Sequence, residues 1–253
     1  HYDTILCVGE FQIPEIRKQE ELYNLPEKKL IITGYGQLEK LQKQYDSMEK
    51  VRRDRKKILI APSWQEDNIL DSCVDELLKE ILQKGWDVVV RPHPEYVKRY
   101  GERMNAIVQR YQNYTGGDLK FELDFTTNTS IFDSDVVITD WSGTAYEFSF
   151  VTGKPAVFVD TKMKVNNPEY IKLGIEPLEI ALRDKVGIRL NPQNLSGTYQ
   201  RIAELVEKQE EYCKNNIALR NHYIANYGES GIVGGKYIIE SLKQMAKNKK
   251  KES

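Results

Sequence analysis

Eight short runs of apolar, largely β-branched residues recur along this chain, separated by longer stretches in which apolar residues return at helical spacing. The runs fall at residues 4–8, 30–33, 57–61, 87–91, 119–123, 136–139, 156–159 and 186–190. Such alternation is the signature of βα units wound around a parallel sheet. Runs 57–61, 136–139 and 156–159 are apolar almost throughout, as expected of strands covered by helices on both faces. The fold class that follows is α/β, a Rossmann-like doubly wound parallel sheet.

The intervening stretches fit that scheme. Residues 68–84 place Ile69, Cys73, Leu77, Leu78, Ile81 and Leu82 on one helical face, and Gly85 stops the helix. A helix over 142–151 ends at Gly153-Lys154-Pro155, a long amphipathic helix covers 200–224, and a last one covers 232–247. The charged segment 37–55 reads as a helix with its exit loop. Residues 161–184, with Asn166-Asn167-Pro168 and Gly174, show no period and read as loop-rich. Residues 2–37 are taken as a first βαβ element of the same domain. The 253 residues are therefore expected to form one domain, 1–253, with a disordered basic tail at 248–253.

Composition narrows the function. With 40% hydrophobic and 30% charged residues the chain can bury a core, and a formal charge of -1 offers no general attraction to nucleic acid. Nucleic acid is not an expected partner. Cys7, Cys73 and Cys213 lie far apart, which argues against a disulfide framework and a zinc site and fits a reducing compartment. No run approaches the ~18 apolar residues of a membrane span, and no secretory signal opens the chain. A cytoplasmic protein is expected. His1 leads directly into a strand-like run, as in the middle of a longer protein. Four lysines between 247 and 251 could touch anionic lipid at the inner face of the plasma membrane, although a solvated end is the blander reading.

Ligands of open parallel sheets bind beyond the carboxyl ends of the strands, where helix N-termini present N–H groups. Three strand exits here carry suitable chemistry. Run 87–91 leads into Arg91-Pro92-His93-Pro94, in which Arg91 could fork onto phosphate and His93 could donate to a leaving phosphate or move a proton. An Arg paired with a carboxylate and a His satisfying a loop is the alternative. Run 136–139 leads into Asp140-Trp141-Ser142-Gly143-Thr144, a polar turn whose hydroxyls and N–H groups could cradle a diphosphate. An ordinary helix cap is the alternative there. Run 57–61 ends in Pro62-Ser63-Trp64-Gln65, with Trp64 either lining a cleft or roofing the core. Ser230, in Tyr227-Gly228-Glu229-Ser230, is placed to cap the last helix. Residues 230–237 do not form a Walker A loop, because Tyr237 stands after Lys236 where Ser or Thr is needed.

Together these strings resemble the CDP-glycerol:poly(glycerophosphate) glycerophosphotransferases, which make teichoic acid and related capsule polymers. The matching strings are Ala61-Pro62-Ser63-Trp64-Gln65, Arg91-Pro92-His93-Pro94, Ser134-Asp135 through Ser142-Gly143, Tyr146-Glu147-Phe148, Lys154-Pro155, Gly34-Tyr35-Gly36 and Tyr227-Gly228-Glu229-Ser230. Their order and spacing agree over most of the chain. The sequence departs from the family pattern at Gln65 for arginine, Gly143 for a second serine and Glu147 for aspartate.

The resemblance implies the C-terminal, donor-binding lobe of a GT-B fold, with an N-terminal lobe supplied elsewhere as a partner. It implies His93 and Arg91 as catalytic residues on the donor phosphates, and Ser63, Asp140, Ser142, Gly143, Thr144, Glu147 and Ser230 as substrate-binding. No metal or cofactor is implied; the donor is CDP-glycerol or a related CDP-alcohol, and the acceptor is a polymer or a lipid-linked chain. An acceptor hydroxyl would attack the β-phosphorus and CMP would leave, with Arg91 and protonated His93 holding the charge. Two other readings stay open: a GT-B glycosyltransferase using a CMP- or UDP-sugar, and a nucleotide-binding lobe without catalysis.

Overall fold

The computed structural model describes residues 2–49, 53–82, 84–165 and 167–252. Residues 50–52 of the helix expected at 37–55, Gln83, Asn166 and the last tail residue, Ser253, lie outside that set. In chain order the elements are β1 (Thr4–Cys7), α1 (Gln12–Leu22), β2 (Lys29–Ile32), α2 (Gly36–Ser47), β3 (Lys57–Ile60), α3 (Ile69–Ser72), α4 (Val74–Ile81) and β4 (Asp87–Val90). There follow α5 (Pro94–Arg99), α6 (Gly101–Arg110), β5 (Leu119–Phe121), α7 (Thr129–Asp133), β6 (Val136–Thr139), α8 (Thr144–Thr152) and β7 (Ala156–Val159). A 3-10 turn (Pro168–Leu173), α9 (Leu178–Ala181), α10 (Arg183–Val186), β8 (Gly187–Leu190), α11 (Thr198–Glu207), α12 (Gln209–Tyr223) and α13 (Ser230–Glu252) complete the chain.

All eight expected strands are present, but they form two sheets. The chain divides into two compact units, one of His1–Lys43, Asn167–Glu176 and Ala218–Ser253, the other of Gln44–Asn166 and Pro177–Ile217, where the sequence reading expects one domain. In the first unit β1 and β2 pair in parallel with each other in a two-stranded sheet, with Ile5 opposite Leu30. Leu6 of β1 remains 44% exposed. An interior strand of a doubly wound sheet would be covered on both faces.

The second unit holds a six-stranded, all-parallel sheet in the order β5-β4-β3-β6-β7-β8. Counted within the unit, this is 3-2-1-4-5-6, the doubly wound arrangement in which successive connections run outward from the middle. The winding reverses between β3 and β6, whose registers pair Ile58 with Val136 and Ile60 with Ile138. β6 and β7 are buried at every position, which accounts for their unbroken apolar sequence. On one face α4 packs Leu77, Leu78 and Ile81 onto Ile58, Ile60 and Val88 with no solvent access. Each such aliphatic side chain contributes roughly 1.5–3 kcal/mol when fully buried.

Three helices depart from expectation. The stretch 68–84 is two helices, α3 and α4, parted at Cys73, where φ is -155°. Asn68 caps the first by accepting from the Leu70 and Asp71 amides. The stretch 200–224 is likewise α11 and α12, parted at Lys208. The basic tail at 248–253 is helical through Glu252 as the end of α13. Lys, Gln, Met, Ala and Glu between 243 and 252 are good helix formers, and no Gly or Pro interrupts them. Cations near a helix C-terminus also favour its dipole. The stop after α8 is as expected. Gly153 adopts φ 76° there, and a Cβ would lie 2.5 Å from the Cys213 sulfur.

Candidate active site

The exits of β4, β3 and β6 lie side by side on one edge of the second unit, because parallel strands all end on the same edge. The two polar strings read from the sequence, Arg91–Pro94 and Asp140–Thr144, therefore share one rim, separated only by the exit of β3 at Ser63. The winding reversal lies between β3 and β6, where open α/β sheets bind their ligands.

Within this rim several of the expected residues are tied into the protein by hydrogen bonds of their own. Arg91 is only 7% exposed. Its Nη1 donates to Glu122 at 2.7 Å and to the Asp124 carbonyl and Ser130 hydroxyl at 3.3 and 3.4 Å. Its Nη2 donates to the Thr127 carbonyl at 2.8 Å. The guanidinium thus ties β4 to the loop after β5, and its charge is met by Glu122. Asp140 is fully buried. Its carboxylate accepts from the amides of Ser63 (2.8 Å), Ile69 (3.1 Å) and Trp141 (2.6 Å), stitching the exits of β3 and β6 together. Ser63 is 2% exposed and lies beneath the rim; its carbonyl accepts from Asn68 Nδ2 at 2.7 Å. Arg91, Asp140 and Ser63 thus brace the floor of the site, each held by hydrogen bonds within the protein.

His93 is the N-cap of α5. Its Nδ1 accepts the Glu95 amide at 3.0 Å, which assigns the proton of the neutral ring to Nε2. Burial, and then the charge of Lys164, push its pKa below the usual 6.5, opposed by Glu95. The shift favours the neutral ring. Because the folded state holds the neutral form, stability is full above about 6.5 and falls as the pH drops from there through the lowered folded value. His93→Asn keeps a cap and does not titrate. Its melting temperature is expected to lose less than wild type between pH 7 and pH 5, measured by circular dichroism.

The Ser142 turn is open. Ser142 and Thr144 are half-buried, Gly143 is exposed, and α8 begins at Thr144. Ser142 Oγ lies 3.1 Å from Thr144 Oγ1 and accepts the Thr144 amide at 3.3 Å. The Thr144 and Tyr146 amides already donate to Ser142 Oγ and the Gly143 carbonyl, so the dipole of α8 is what this end offers an anion. Glu147 lies in the same first turn, half-buried. A Cβ added at Gly143 would meet nothing within 4 Å, and its φ of -62° suits any residue. Gly143→Ser is expected to leave the melting temperature within about 1–2 °C, since open surface substitutions change stability by under ~0.5 kcal/mol. Scanning calorimetry checks this.

A recess of about 130 Å³ opens beside the turn, bounded by Ser142, Gly143, Tyr146, Lys164, Glu179 and Arg183, among others. Its size suits the charged end of a ligand, since sites that enclose whole drug-sized molecules span ~300–1,000 Å³. Lys164 Nζ lies 5.2 Å from the ring centre of Trp64, whose ring also carries Arg99 at 5.0 Å. Trp64 thus both packs on the core and displays cations at the rim. Arg183 lies within the wall at 2% exposure. Lys164 and Arg183 both fall in the stretch 161–184 that carries no period in the sequence, and no motif marks them. Ser230 belongs to the first unit, where Glu39 accepts the amides of Ser230 and Gly228 at 2.9 and 3.0 Å and caps α13. Among the described residues no three His, Cys, Asp or Glu side chains group as metal ligands.

Residues 12–165, more than half of the chain, match the family described as CDP-glycerol:poly(glycerophosphate) glycerophosphotransferase. The chain belongs to that family. Its fold is also that of known structures. It superposes on the wall teichoic acid polymerase TagF with a TM-score of 0.57 at 17% identity, covering 97% of this chain and 60% of TagF. An α,α-trehalose-phosphate synthase from Burkholderia vietnamiensis gives 0.54 at 12% identity, covering 98% of this chain and 60% of that one. A UDP-GlcNAc 2-epimerase from Methanocaldococcus jannaschii gives 0.51 at 15%, covering 96% and 61%. At such identities the likeness shows the fold, an α/β architecture of the GT-B type. The family member described here spans about 60% of the TagF chain. No curated protein matches the sequence.

Proposed function

We propose that this family member binds CDP-glycerol, or a close CDP-alcohol, at the shared rim of β3, β4 and β6 and serves in moving glycerol phosphate to a polymer acceptor. The observation that carries the reading is the coincidence of the family's two polar strings on one edge of the sheet, at the winding reversal. The family match supports the CDP-activated donor, and TagF has been soaked with CDPG.

In this reading the diphosphate rests at the positive end of the α8 dipole, on the Gly143 amide and the hydroxyls of Ser142 and Thr144. Lys164 replaces Arg91 as the cation that faces it. His93 donates from Nε2 as a neutral ring. An acceptor hydroxyl oxygen forms a bond to the glycerol-bearing phosphorus, the bond from that phosphorus to the CMP oxygen breaks, and CMP leaves with the electron pair. The hydroxyl proton passes to a base outside the residues named here. The protein's work is to position the groups and offset charge, as is usual in phosphoryl transfer. No cofactor takes part in this scheme, and Glu147, in the first turn of α8, is assigned to the donor.

The acceptor is proposed to be a teichoic-acid-type or capsule polymer, met by the chain together with a further lobe in the cytoplasm. No helix of the described residues is long and apolar enough to cross a membrane. Peripheral contact is proposed through α13, where Ile238, Ile239, Leu242 and Met245 are exposed among lysines. The function is tested by supplying the intact protein with CDP-glycerol, a UDP-sugar and a CMP-sugar beside a glycerol-phosphate oligomer. Release of CMP and growth of the oligomer with CDP-glycerol alone is expected. Turnover only with a sugar donor, or donor binding without turnover, would overturn the transferase reading.

A further inference from the structure

The turn that would receive the diphosphate needs something to hold its shape, and the sequence offers no sign of what does so. Asp140 is fully buried, and its carboxylate accepts the amides of Ser63 after β3, Ile69 of α3 and its own neighbour Trp141. Its backbone carbonyl is then a buried acceptor that needs a donor of its own. Arg183 supplies it: Nη1 donates to the Asp140 carbonyl at 2.8 Å, and Nη2 donates to Asp160 Oδ1 at 2.8 Å. The guanidinium lies over two rings, 4.1 Å from the Trp141 centroid and 4.6 Å from that of Phe158. Trp141 is fixed in turn, its Nε1 donating to the Thr161 carbonyl at 3.0 Å. Asp160 is also held from the other side by Arg189 at 2.9 Å.

We infer that Arg183 is a positioning residue, which fixes the backbone of Asp140–Trp141 and thereby sets the Ser142–Thr144 turn and the start of α8 for an anion. Only a planar fork can do this. One edge must reach a carbonyl and a carboxylate at once beside two aromatic rings, a geometry that a lysine ammonium cannot reproduce. Arg183 lies at the start of α10, more than 40 residues from the turn it holds, and it borders the recess beside Ser142. The effect on ligand rests on the donor reading above; the effect on the turn does not.

The test compares wild type with Arg183→Lys in the whole chain by two measurements. Amide hydrogen exchange across residues 141–146 is set against exchange in β3 and β4, and calorimetry follows binding of CDP and of inorganic pyrophosphate. In Arg183→Lys the turn is expected to exchange about 10–100-fold faster with β3 and β4 unchanged, and the Kd for CDP is expected to rise by a similar factor. An unchanged turn, or a turn that loosens only in step with β3 and β4, would overturn the inference, since the second pattern is that of a merely structural arginine. If wild type binds neither CDP nor pyrophosphate while the turn still loosens locally, positioning stands and the donor reading fails. Should Arg183→Lys not fold, Phe158→Leu removes one of the two rings and leaves the guanidinium in place. It is expected to loosen the same amides more weakly, and no local change there would also overturn the inference.

Discussion

Arg91→Ala is expected to destabilise the six-stranded unit by roughly 3–5 kcal/mol, the usual result of removing one partner of a buried ion pair. Glu122 would be left with its side chain 13% exposed and no cation. The Asp124 and Thr127 carbonyls and the Ser130 hydroxyl would lose a shared donor as well. For a chain of this size that corresponds to a fall in melting temperature on the order of 10 °C. A residue that bound donor phosphate directly would behave in the opposite way, with stability preserved and turnover lost. Thermal unfolding of the purified variant separates the two, and a melting temperature unchanged from wild type would return Arg91 to the ligand.

His93→Asn is expected to lower turnover of the intact protein about 100–1000-fold, the common effect of losing one donor to developing charge. Its fold should remain intact. The substitution keeps a side-chain acceptor for the Glu95 amide, so α5 retains its cap. The same variant that flattens the pH dependence of stability therefore isolates the Nε2 donor from the capping role, which His93→Ala would confuse. Steady-state kinetics with CDP-glycerol at saturating acceptor should show the loss mainly in kcat. A kcat within a factor of three of wild type would remove His93 from the chemistry.

How far this was legible follows from which interactions are local. The eight strands were readable because continuous apolar runs such as Val136-Val137-Ile138 answer to burial on two faces, a property of the segment itself. The shared rim was readable for the same reason, since parallel strands end on one edge. The division into two sheets was not, because β1 and β4 look alike in isolation and differ only in what covers them. Arg91 shows the limit within the site. Its place at a strand exit is written in the sequence, but the carboxylate that occupies it, Glu122, arrives from the exit of the neighbouring strand. Asp140 likewise sits in a motif that invites a ligand, while its three amide donors come from β3, α3 and its own turn. Lys164 and Arg183 lie in a stretch without period, and only the folded chain brings them to Ser142.

The most direct test of the central claim is the structure of this chain with CDP bound. The diphosphate oxygens are expected on the amide of Gly143, within reach of Ser142 Oγ, Thr144 Oγ1 and Lys164, with His93 Nε2 facing the same group. A diphosphate seated instead in the groove of Asp67, Glu76 and Asp160, with the Ser142 turn bare, would contradict it.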